Sequence, residues 1–533
     1  MHLPSPLQWK TLSIVSCLLS ALVFLAGCRK ELPPPEQPPF HGTTLQIACP
    51  DSMEATLRPQ TKAWSSRQNA TVRLLPQSSA TPRYSLPAAD IWILRPAELP
   101  HWASQQLLQP LPQSLQNRGN SFDWNGLLPL YREQLLVWNG IPFGLPILGE
   151  SPILLYREDL LTSPEWKVRL GNWAVKTQGK VDLRAPNSWE ELALLAEFFR
   201  DHHPLGKPGP SLPPLPGDPY LLDQQFYQVA APFARRSIRQ DEPQKADHLA
   251  EVFAFHYDLT SGAPRIDGPG FVAALKLLQR LQACRPPGTS ADPLSAFLEG
   301  QAVFAITGAS SLPRVQGVPT LRDKVGIAAI PGTLSYFTPT GQQQTLAQGV
   351  NRVPYLGGSG WVAVVPTSAA NPDAAWNFLA DLCSGSRSSD IVMEPNNRGG
   401  PIRSEQLLRD RWDVFELNPA RTLTLRDSVA RTILQHGLKN PVLCLRIPDE
   451  ANHLADMTDA LRRSLLDKAE AAPALKTVAD RWRERDAKTG QTAFLGNYRI
   501  SLGLRGSGDG APRQPAPASR DNPGSEKKAD GKN

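Results

Sequence analysis

The stretch TLQIACP at residues 44–50, together with TVRLL at 71–75 and DIWIL at 90–94, decides the fold. Each is a short apolar run, which is typical of a buried strand, and residues 53–66 between the first two have the pattern of a helix. Strand, helix and strand joined by short connections imply a parallel sheet covered by helices. The sequence therefore predicts an α/β fold.

The same alternation of elements continues towards the C-terminus. Ser188 and Glu191 form a capping box in front of a helix whose apolar residues share one face. Asn371 is a predicted N-cap, followed by Pro372 at the first helical position. Further amphipathic helices are predicted over 271–281 and 454–465, and further strands over 302–306, 325–330 and 361–365.

The N-terminus has the pattern of an export signal. Lys10 precedes an apolar run over residues 12–26, which is long enough for a secretory signal and short for a membrane span. The run ends in LAGC (25–28), which resembles the lipobox of bacterial lipoproteins. The resemblance implies that 1–27 is a lipoprotein signal peptide and that Cys28 carries lipid that anchors the chain to a membrane. An uncleaved anchor helix is the alternative.

Two segments outside the predicted folded part have distinctive compositions. Residues 28–42 contain the proline-rich stretch ELPPPEQPP, and because proline fixes φ they are predicted to form an extended tether. Residues 501–533 are rich in Gly, Pro, Ser and charge, so they cannot bury enough apolar surface to offset the entropy of ordering, and a disordered tail is predicted. About 460 residues remain between them, enough for two or three domains.

Charge and motifs argue against several function classes. The net charge is +6 over 533 residues, and no dense Lys/Arg stripe with interleaved aromatic residues occurs, so no nucleic-acid partner is predicted. The chain has no GxxxxGK[ST], HExxH or CxxC motif, so we predict no ATPase, metal site, cofactor or catalytic residue. A glycosidase stays open as an alternative, because its two carboxylates leave little local pattern.

Proline and cysteine also carry information. Many of the 53 prolines fall in Pro204–Pro219, which is predicted to be an inserted surface loop. Four cysteines follow the lipobox at spacings that do not suit a metal: Cys49, Cys284, Cys383 and Cys444. An exported protein can form disulfides, but buried free thiols fit the pattern at least as well.

Several segments occur in the order found in one known family. They are GIPFGLP (140–146), LLYREDLL (154–161), FLEGQAVF (297–304), VGIAAIPG (325–332), GGSGW (357–361) and NPDAAW (371–376). They resemble motifs of the extracellular solute-binding proteins of the maltose-binding type, often called family 1, over residues 43 to about 485. Arg157 departs from the family pattern, which usually has an asparagine there.

This resemblance implies a two-lobed periplasmic-binding-protein fold of type II, with a hinge between the lobes. Lobe 1 is assigned to residues 43–145 with 300–356, and lobe 2 to residues 146–299 with 357–500. Chain crossings between the lobes are expected at 146–151, near Gly300 and at 357–360.

The resemblance also implies a function. A monomer on the periplasmic or extracellular face of a bacterial membrane would capture a small solute, with carbohydrate as the first choice, by hinge closure. It would then deliver the solute to the permease subunits of an ABC importer. The alternative is a sensory or scaffold lipoprotein that uses the same fold without transport.

Candidate solute-binding residues lie where predicted strands end, because the carboxyl ends of parallel strands face the cleft of such a fold. Aromatic rings stack on sugar rings, and carboxylates or hydroxyls bind the sugar hydroxyl groups. The candidates are Asp51, Ser52, Arg95, Glu150, Ser151, Gly308, Ser310, Ser359 and Trp361. The resemblance aligns Glu150 with a carboxylate that touches sugar in some members.

Four of these candidates also have a plainer interpretation. Asp51 fits a helix N-cap, Glu150 an exposed turn acid, Arg95 a solvated surface charge and Trp361 a core position. Two other tryptophans, Trp92 and Trp376, are predicted to be core residues because they lie in an apolar strand and on the apolar face of a helix.

Overall fold

The computed structural model describes residues 37–78, 84–117, 119, 122–177, 181–204, 209–238, 251, 253–353, 355–357, 360–393, 400–407 and 442–504. The predicted signal peptide, Cys28, Ser359, nearly all of the predicted tail and most of the tether lie outside these residues. In the described part, no helix has both the length and the apolar character that crossing a bilayer requires.

Short strands alternate with helices along the chain. The strands are β1 (Thr44–Pro50), β2 (Thr71–Gln77), β3 (Ile91–Leu94), β4 (Val137–Trp138), β5 (Ile141–Pro142), β6 (Gly144–Leu148), β7 (Pro152–Arg157), β8 (Leu215–Pro216), β9 (Thr289–Ser290), β10 (Phe304–Gly308), β11 (Val325–Ala329), β12 (Ser335–Phe337), β13 (Gln343–Thr345), β14 (Tyr355–Gly357), β15 (Trp361–Val364) and β16 (Val442–Leu443).

The α-helices are α1 (Asp51–Gln68), α2 (Leu99–Ser104), α3 (Gln113–Gln116), α4 (Glu158–Leu161), α5 (Pro164–Thr177), α6 (Trp189–Asp201), α7 (Pro219–Ala234), α8 (Pro269–Gln282), α9 (Leu294–Leu298), α10 (Leu312–Gln316), α11 (Pro372–Leu382), α12 (Gly385–Met393), α13 (Glu450–Leu465), α14 (Ala471–Thr489) and α15 (Gln491–Ser501). Local signals fix several of these helix starts. Ser188 accepts a hydrogen bond from the Glu191 amide at 3.1 Å, which confirms Ser188 as the N-cap. The Glu191 carboxylate accepts from the Asn187 amide, one residue before the amide that a capping box uses.

Two sheets define two lobes. The first has the order β2-β1-β3-β15-β6, in which β1 pairs in parallel with β2 and β3, as the sequence predicts, while β15 runs antiparallel to its neighbours. The second has the order β10-β7-β11, with β7 antiparallel to both edge strands. The chain passes from the first sheet to the second between β6 and β7, within the predicted crossing at 146–151.

The pairing corrects the predicted assignment of segments to lobes. Residues 300–356 were expected with lobe 1, but their strands β10 and β11 pair with β7 in the second sheet. Residues 357–500 were expected with lobe 2, but β15 pairs with β3 and β6 in the first sheet. The expected crossing near Gly300 is therefore wrong, whereas the one at 357–360 separates β14 from β15. An apolar strand fits either sheet, so the segment alone could not decide its partner.

The described residues form two apolar cores, and the boundary between these cores only partly matches the boundary between the two sheets. One continuous apolar core contains the first sheet, α1, α11 and one face of the second sheet, including Ile153 and Leu155. The other core contains the opposite face, represented by Leu154, and the helices α6, α7, α8, α13 and α14. Successive residues of β7 alternate between the two cores because side chains of a strand point to opposite faces. Trp92 and Trp376 are each 7% exposed, so both predictions of a core position are confirmed.

The structure also bears on the predictions for the proline-rich stretch and for the cysteines. The described part of the proline-rich stretch is not an exposed surface loop, because Ser211, Leu212 and Leu215 are buried and β8 pairs with β9. All four cysteines after the lipobox are buried free thiols. Burial raises their pKa, to about 11 for Cys49 and Cys284 and to about 12 for Cys383 and Cys444.

Candidate functional site

Glu150 lies in the first crossing, between β6 and β7, and its carboxylate is held by groups from the second lobe. Oε1 accepts hydrogen bonds from the Ser151 amide at 2.8 Å and the Ser310 amide at 3.4 Å. Oε2 accepts one from the Ser310 hydroxyl at 2.5 Å. The plainer interpretation as an exposed turn acid is therefore wrong, because both oxygens have protein donors.

Burial governs the acidity of this carboxyl. Desolvation raises the pKa of Glu150 above its ordinary value of 4.5, and the hydrogen bonds from Ser310, Ser151 and Ala309 lower it again in part. Hydrogen bonds to a carboxylate favour the charged form, whereas loss of water disfavours it, and the second effect is the larger here. The group is thus a hydrogen-bond acceptor whose charge is unfavourable in its surroundings.

Gly308 provides the space that Glu150 occupies. A Cβ built at Gly308 would overlap with the carboxylate carbon and both carboxylate oxygens of Glu150. The backbone at this position has φ of −95°, so the glycine is required for space and not for its conformational freedom. The sequence predicts Gly308 and Glu150 as separate candidates, and the structure places them against each other.

Three segments of the chain come close together at Gly149, Gly360 and Gly400. The Gly149 amide donates to the Gly400 carbonyl at 3.0 Å. A Cβ on Gly400 would lie 3.2 Å from the Glu150 Cα, and one on Gly360 would overlap with the Leu148 carbonyl. Gly360 also has φ of +97°, a conformation that favours glycine. Three segments of chain can approach this closely only without side chains.

Serines complete this group. Ser151 is fully buried, and its hydroxyl has no hydrogen-bond partner in the described part of the chain. Its carbonyl accepts from the Ala309 amide at 2.8 Å, which ties the first crossing to the turn after β10. Ser311 is also buried and donates to the Gly308 carbonyl at 2.7 Å. The turn that carries Ser310 is therefore fixed by its own hydrogen bonds.

Arg95, at the end of β3 in lobe 1, reaches the second lobe. Its Nη2 lies 3.0 Å from Oδ2 of Asp218, which caps the N-terminus of α7. The Arg95 guanidinium carbon is 4.0 Å from the centre of the Tyr220 ring and 5.0 Å from the centre of the Trp361 ring. The interpretation of Arg95 as a solvated surface charge is therefore wrong. Trp361 is partly exposed and is not a core residue.

The remaining candidates are not drawn into this group. Asp51 and Ser52 are exposed at the start of α1, and among the described residues neither has a hydrogen bond to Glu150 or Arg95. Asp51 is also not the helix N-cap, since that position is taken by Pro50.

Sequence reasoning missed Asp218 and Tyr220. The dipeptide Asp218-Pro219 is a helix-start signal that could have directed attention to them, but it was assigned to the proline-rich loop.

The described residues include no cluster of three or more His, Cys, Asp or Glu side chains that could hold a metal. A small pocket of about 100 Å³ lies away from the crossings, on lobe 2, where Arg265, Pro269 and Phe337 contribute to its lining. Two sets of groups lie between the lobes instead: the Glu150 carboxylate with the Ser310 hydroxyl, and the Arg95 guanidinium with the Tyr220 and Trp361 rings. Such groups accept and donate hydrogen bonds and stack on rings.

An α/β fold with two main sheets, in which polar and aromatic side chains of the two lobes contact each other, defines a bilobed binding protein. The comparisons identify the family. Residues 62–405 match the family of bacterial extracellular solute-binding proteins, and the chain belongs to it. The match covers most of the chain and includes Arg95, Glu150, Asp218 and Trp361. No curated protein matches this chain.

Solved structures share the fold of this chain. Maltose-bound MalE3 of T. maritima aligns with a TM-score of 0.57 at 16% identity, over 83% of this chain and 100% of that one. A solute-binding protein of Agrobacterium radiobacter K84 in complex with ribitol aligns with a TM-score of 0.60 at 17% identity, over 84% and 100%. One of Agrobacterium vitis S4 with bound D-mannitol aligns at 0.57 and 18%, over 84% and 99%. The fold is that of type II periplasmic binding proteins.

Proposed function

We propose that this chain is a lipid-anchored receptor outside the cytoplasmic membrane that captures a small carbohydrate or polyol between its lobes and delivers it to an ABC importer. Membership of the extracellular solute-binding family supports capture of a solute. The lipobox at Cys28 supports the anchor, and the proline-rich tether would hold the lobes away from the bilayer.

The observation that carries the proposal is the group at the crossings. Glu150 and Ser310 offer a carboxylate and a hydroxyl, and Trp361, which follows the crossing at 357–360, offers a partly exposed ring on lobe 1. Hydroxyl-rich solutes are recognised by this combination, because their hydroxyls bind to carboxylates and their apolar ring faces stack on aromatic side chains. The positions between lobes would couple binding to closure.

The test is a thermal-shift screen of the purified protein against monosaccharides, oligosaccharides, polyols, polyamines and phosphate esters. A solute at one hundred times its dissociation constant should add about 2.7 kcal/mol to the free energy of unfolding. A sugar or polyol that raises the melting temperature and stays chemically intact supports the proposal. A turned-over sugar would instead support the glycosidase.

A sensory or scaffold lipoprotein is a second candidate, and one observation favours it. Both oxygens of Glu150 have protein donors, and the Arg95 guanidinium has a carboxylate partner, so these polar groups are satisfied without solute. A folded protein that responds to none of the solutes in the screen would favour this candidate over transport.

A further inference from the structure

The Arg95 side chain connects the two lobes through its guanidinium. Arg95 belongs to lobe 1, where it directly follows β3 of the first sheet. Its guanidinium pairs with Asp218 at 3.0 Å, and Asp218 begins α7, which packs in the core of lobe 2 through residues such as Phe226. Movement of α7 away from the end of β3 would therefore break this ion pair.

The carboxylate of Asp218 is held in one orientation. Its Oδ1 accepts a hydrogen bond from the Tyr220 amide at 2.8 Å, as an N-cap does, and this leaves Oδ2 for Arg95. Because the cap fixes the acceptor, little side-chain entropy is lost on the Asp218 side when the ion pair forms. The lobe 2 half of the contact is therefore ready before Arg95 arrives.

Two aromatic rings complete the surroundings of the guanidinium. Tyr220 is 2% exposed and belongs to lobe 2, whereas Trp361 starts β15 in lobe 1. The guanidinium lies over both rings, at 4.0 and 5.0 Å. Aromatic faces together with a carboxylate are the combination that binds an organic cation, because the ring faces and the carboxylate are all negative. Here a cation of the chain itself is bound.

We propose that the Arg95 guanidinium is an internal ligand of the cleft, which Asp218, Tyr220 and Trp361 hold as they would hold a cationic solute. It draws the lobes together when no solute is present. An entering solute has to displace it from the Trp361 ring, a consequence that rests on the proposed function. Closure by Arg95 alone does not rest on it.

The chemistry predicts what can replace the side chain. If Arg95 is shortened to alanine, the two rings and the carboxylate remain, and a planar cation of the same shape should bind there. Methylguanidinium is that probe, since it reproduces the end of the arginine side chain. It should bind to the Arg95→Ala protein and not to the wild type, in which the position is filled.

The experiment is small-angle X-ray scattering of the full chain without solute. We expect a larger radius of gyration for Arg95→Ala than for the wild type, and the same change for Asp218→Asn. Asparagine keeps the N-cap acceptor for Tyr220 and loses the charge that Arg95 needs, so α7 should remain intact. Methylguanidinium should return Arg95→Ala towards the wild-type radius and raise its melting temperature by a few degrees.

Arg169→Ala is the matched control. Arg169 also lies over a tryptophan, Trp166, at 4.9 Å and pairs with a carboxylate, Glu165, but all three residues belong to the single helix α5. Its removal should leave the radius of gyration unchanged. Identical scattering from wild type and Arg95→Ala, with no response of the variant to methylguanidinium, would overturn the inference.

The two proposals can fail independently. If a sugar is found in the thermal-shift screen but scattering is the same for all variants, the receptor stands and the internal ligand does not. If scattering changes as expected but no solute binds, the internal ligand stands and solute capture falls.

Discussion

Two of the contacts between the lobes, those of Arg446 and of Arg95, satisfy their polar groups in opposite ways. Arg446 follows β16, is 1% exposed and donates to the carbonyls of Pro96, Gln134, Leu135 and Val137 in lobe 1, the first of which is next to Arg95 in the sequence. In the cleft, the side chains of Arg95 and Asp218 retain 20% and 41% of their exposure and form a single ion pair.

The contacts of Arg446 form a permanent join between the lobes, whereas the Arg95–Asp218 ion pair forms an exchangeable join. Arg446 gains four acceptors that water cannot replace once the site is buried, and burial lowers its pKa only to about 10, so it stays charged. Arg95 and Asp218 can each return to water when the lobes part, so their pair costs little to break. A hinged protein needs both kinds of contact, one that stays closed and one that opens.

The largest expected effect is at the permanent join. Arg446→Met should lower the free energy of unfolding by about 3 kcal/mol or more, because buried carbonyls lose their donor. Denaturant unfolding measures it. Arg403→Met is the matched variant: Arg403 is equally buried and also donates to carbonyls, those of Phe122, Asp123 and Cys383, but within lobe 1. A similar loss in both, with a changed radius of gyration only for Arg446→Met, is expected, and an Arg446→Met protein as stable as wild type would contradict the comparison.

The next largest effect concerns the space at Gly308, beside the first crossing. Gly308→Ala should lower the free energy of unfolding by about 1 to 3 kcal/mol, because its Cβ would overlap with the Glu150 carboxylate. It should also weaken binding of any solute found in the screen. Gly171→Ala is the control, since nothing lies within 4 Å of a Cβ there and an alanine should stabilise α5 by up to about 1 kcal/mol. Equal stability of the two variants would show that the space at Gly308 is not needed.

A smaller effect concerns pH. The pKa of Glu150 is raised in the folded protein, so its contribution to stability is full below its ordinary pKa of 4.5 and is lost as pH rises through the folded value. Glu150→Gln keeps acceptors and donors for Ser151 and Ser310 without the charge. The variant should therefore be at least as stable as wild type at pH 7, and its advantage should disappear below pH 4.5. An advantage that grows on acidification, measured by unfolding at several pH values, would show that the sign is wrong.

The smallest effect is at the exchangeable join. Asp218→Asn should lower the free energy of unfolding by about 0.2 to 1 kcal/mol, because the pair is partly exposed. The loss should shrink when unfolding is repeated at 1 M salt, where exposed charges are screened. A loss as large as that of Arg446→Met would contradict the division between the two joins.

Much of the local structure could be predicted from the sequence. The strands β1, β2 and β3, the cap at Ser188 and the buried positions of Trp92 and Trp376 follow from short-range patterns that depend on neighbouring residues. Gly308 and Ser310 were singled out because they follow a predicted strand, and Glu150 because the family resemblance aligns it with a carboxylate that touches sugar in some members. The structure groups them, and whether they bind a solute stays a prediction.

The rest depended on pairing between distant segments. The assignment of β10, β11 and β15 to lobes was reversed, since an apolar strand carries no record of which sheet it joins. Asp218 was missed as the partner of Arg95 because 123 residues separate them.

By itself, the sequence determined the α/β alternation, the family motifs and the cap at Ser188, because each depends on side chains that are close along the chain. The lipobox stays a prediction. Only the tertiary structure decided which strands share a sheet, which glycines let chain segments approach closely and which carboxylate pairs with Arg95. These features depend on contacts between residues that are far apart in the sequence, and such contacts form only when the chain folds.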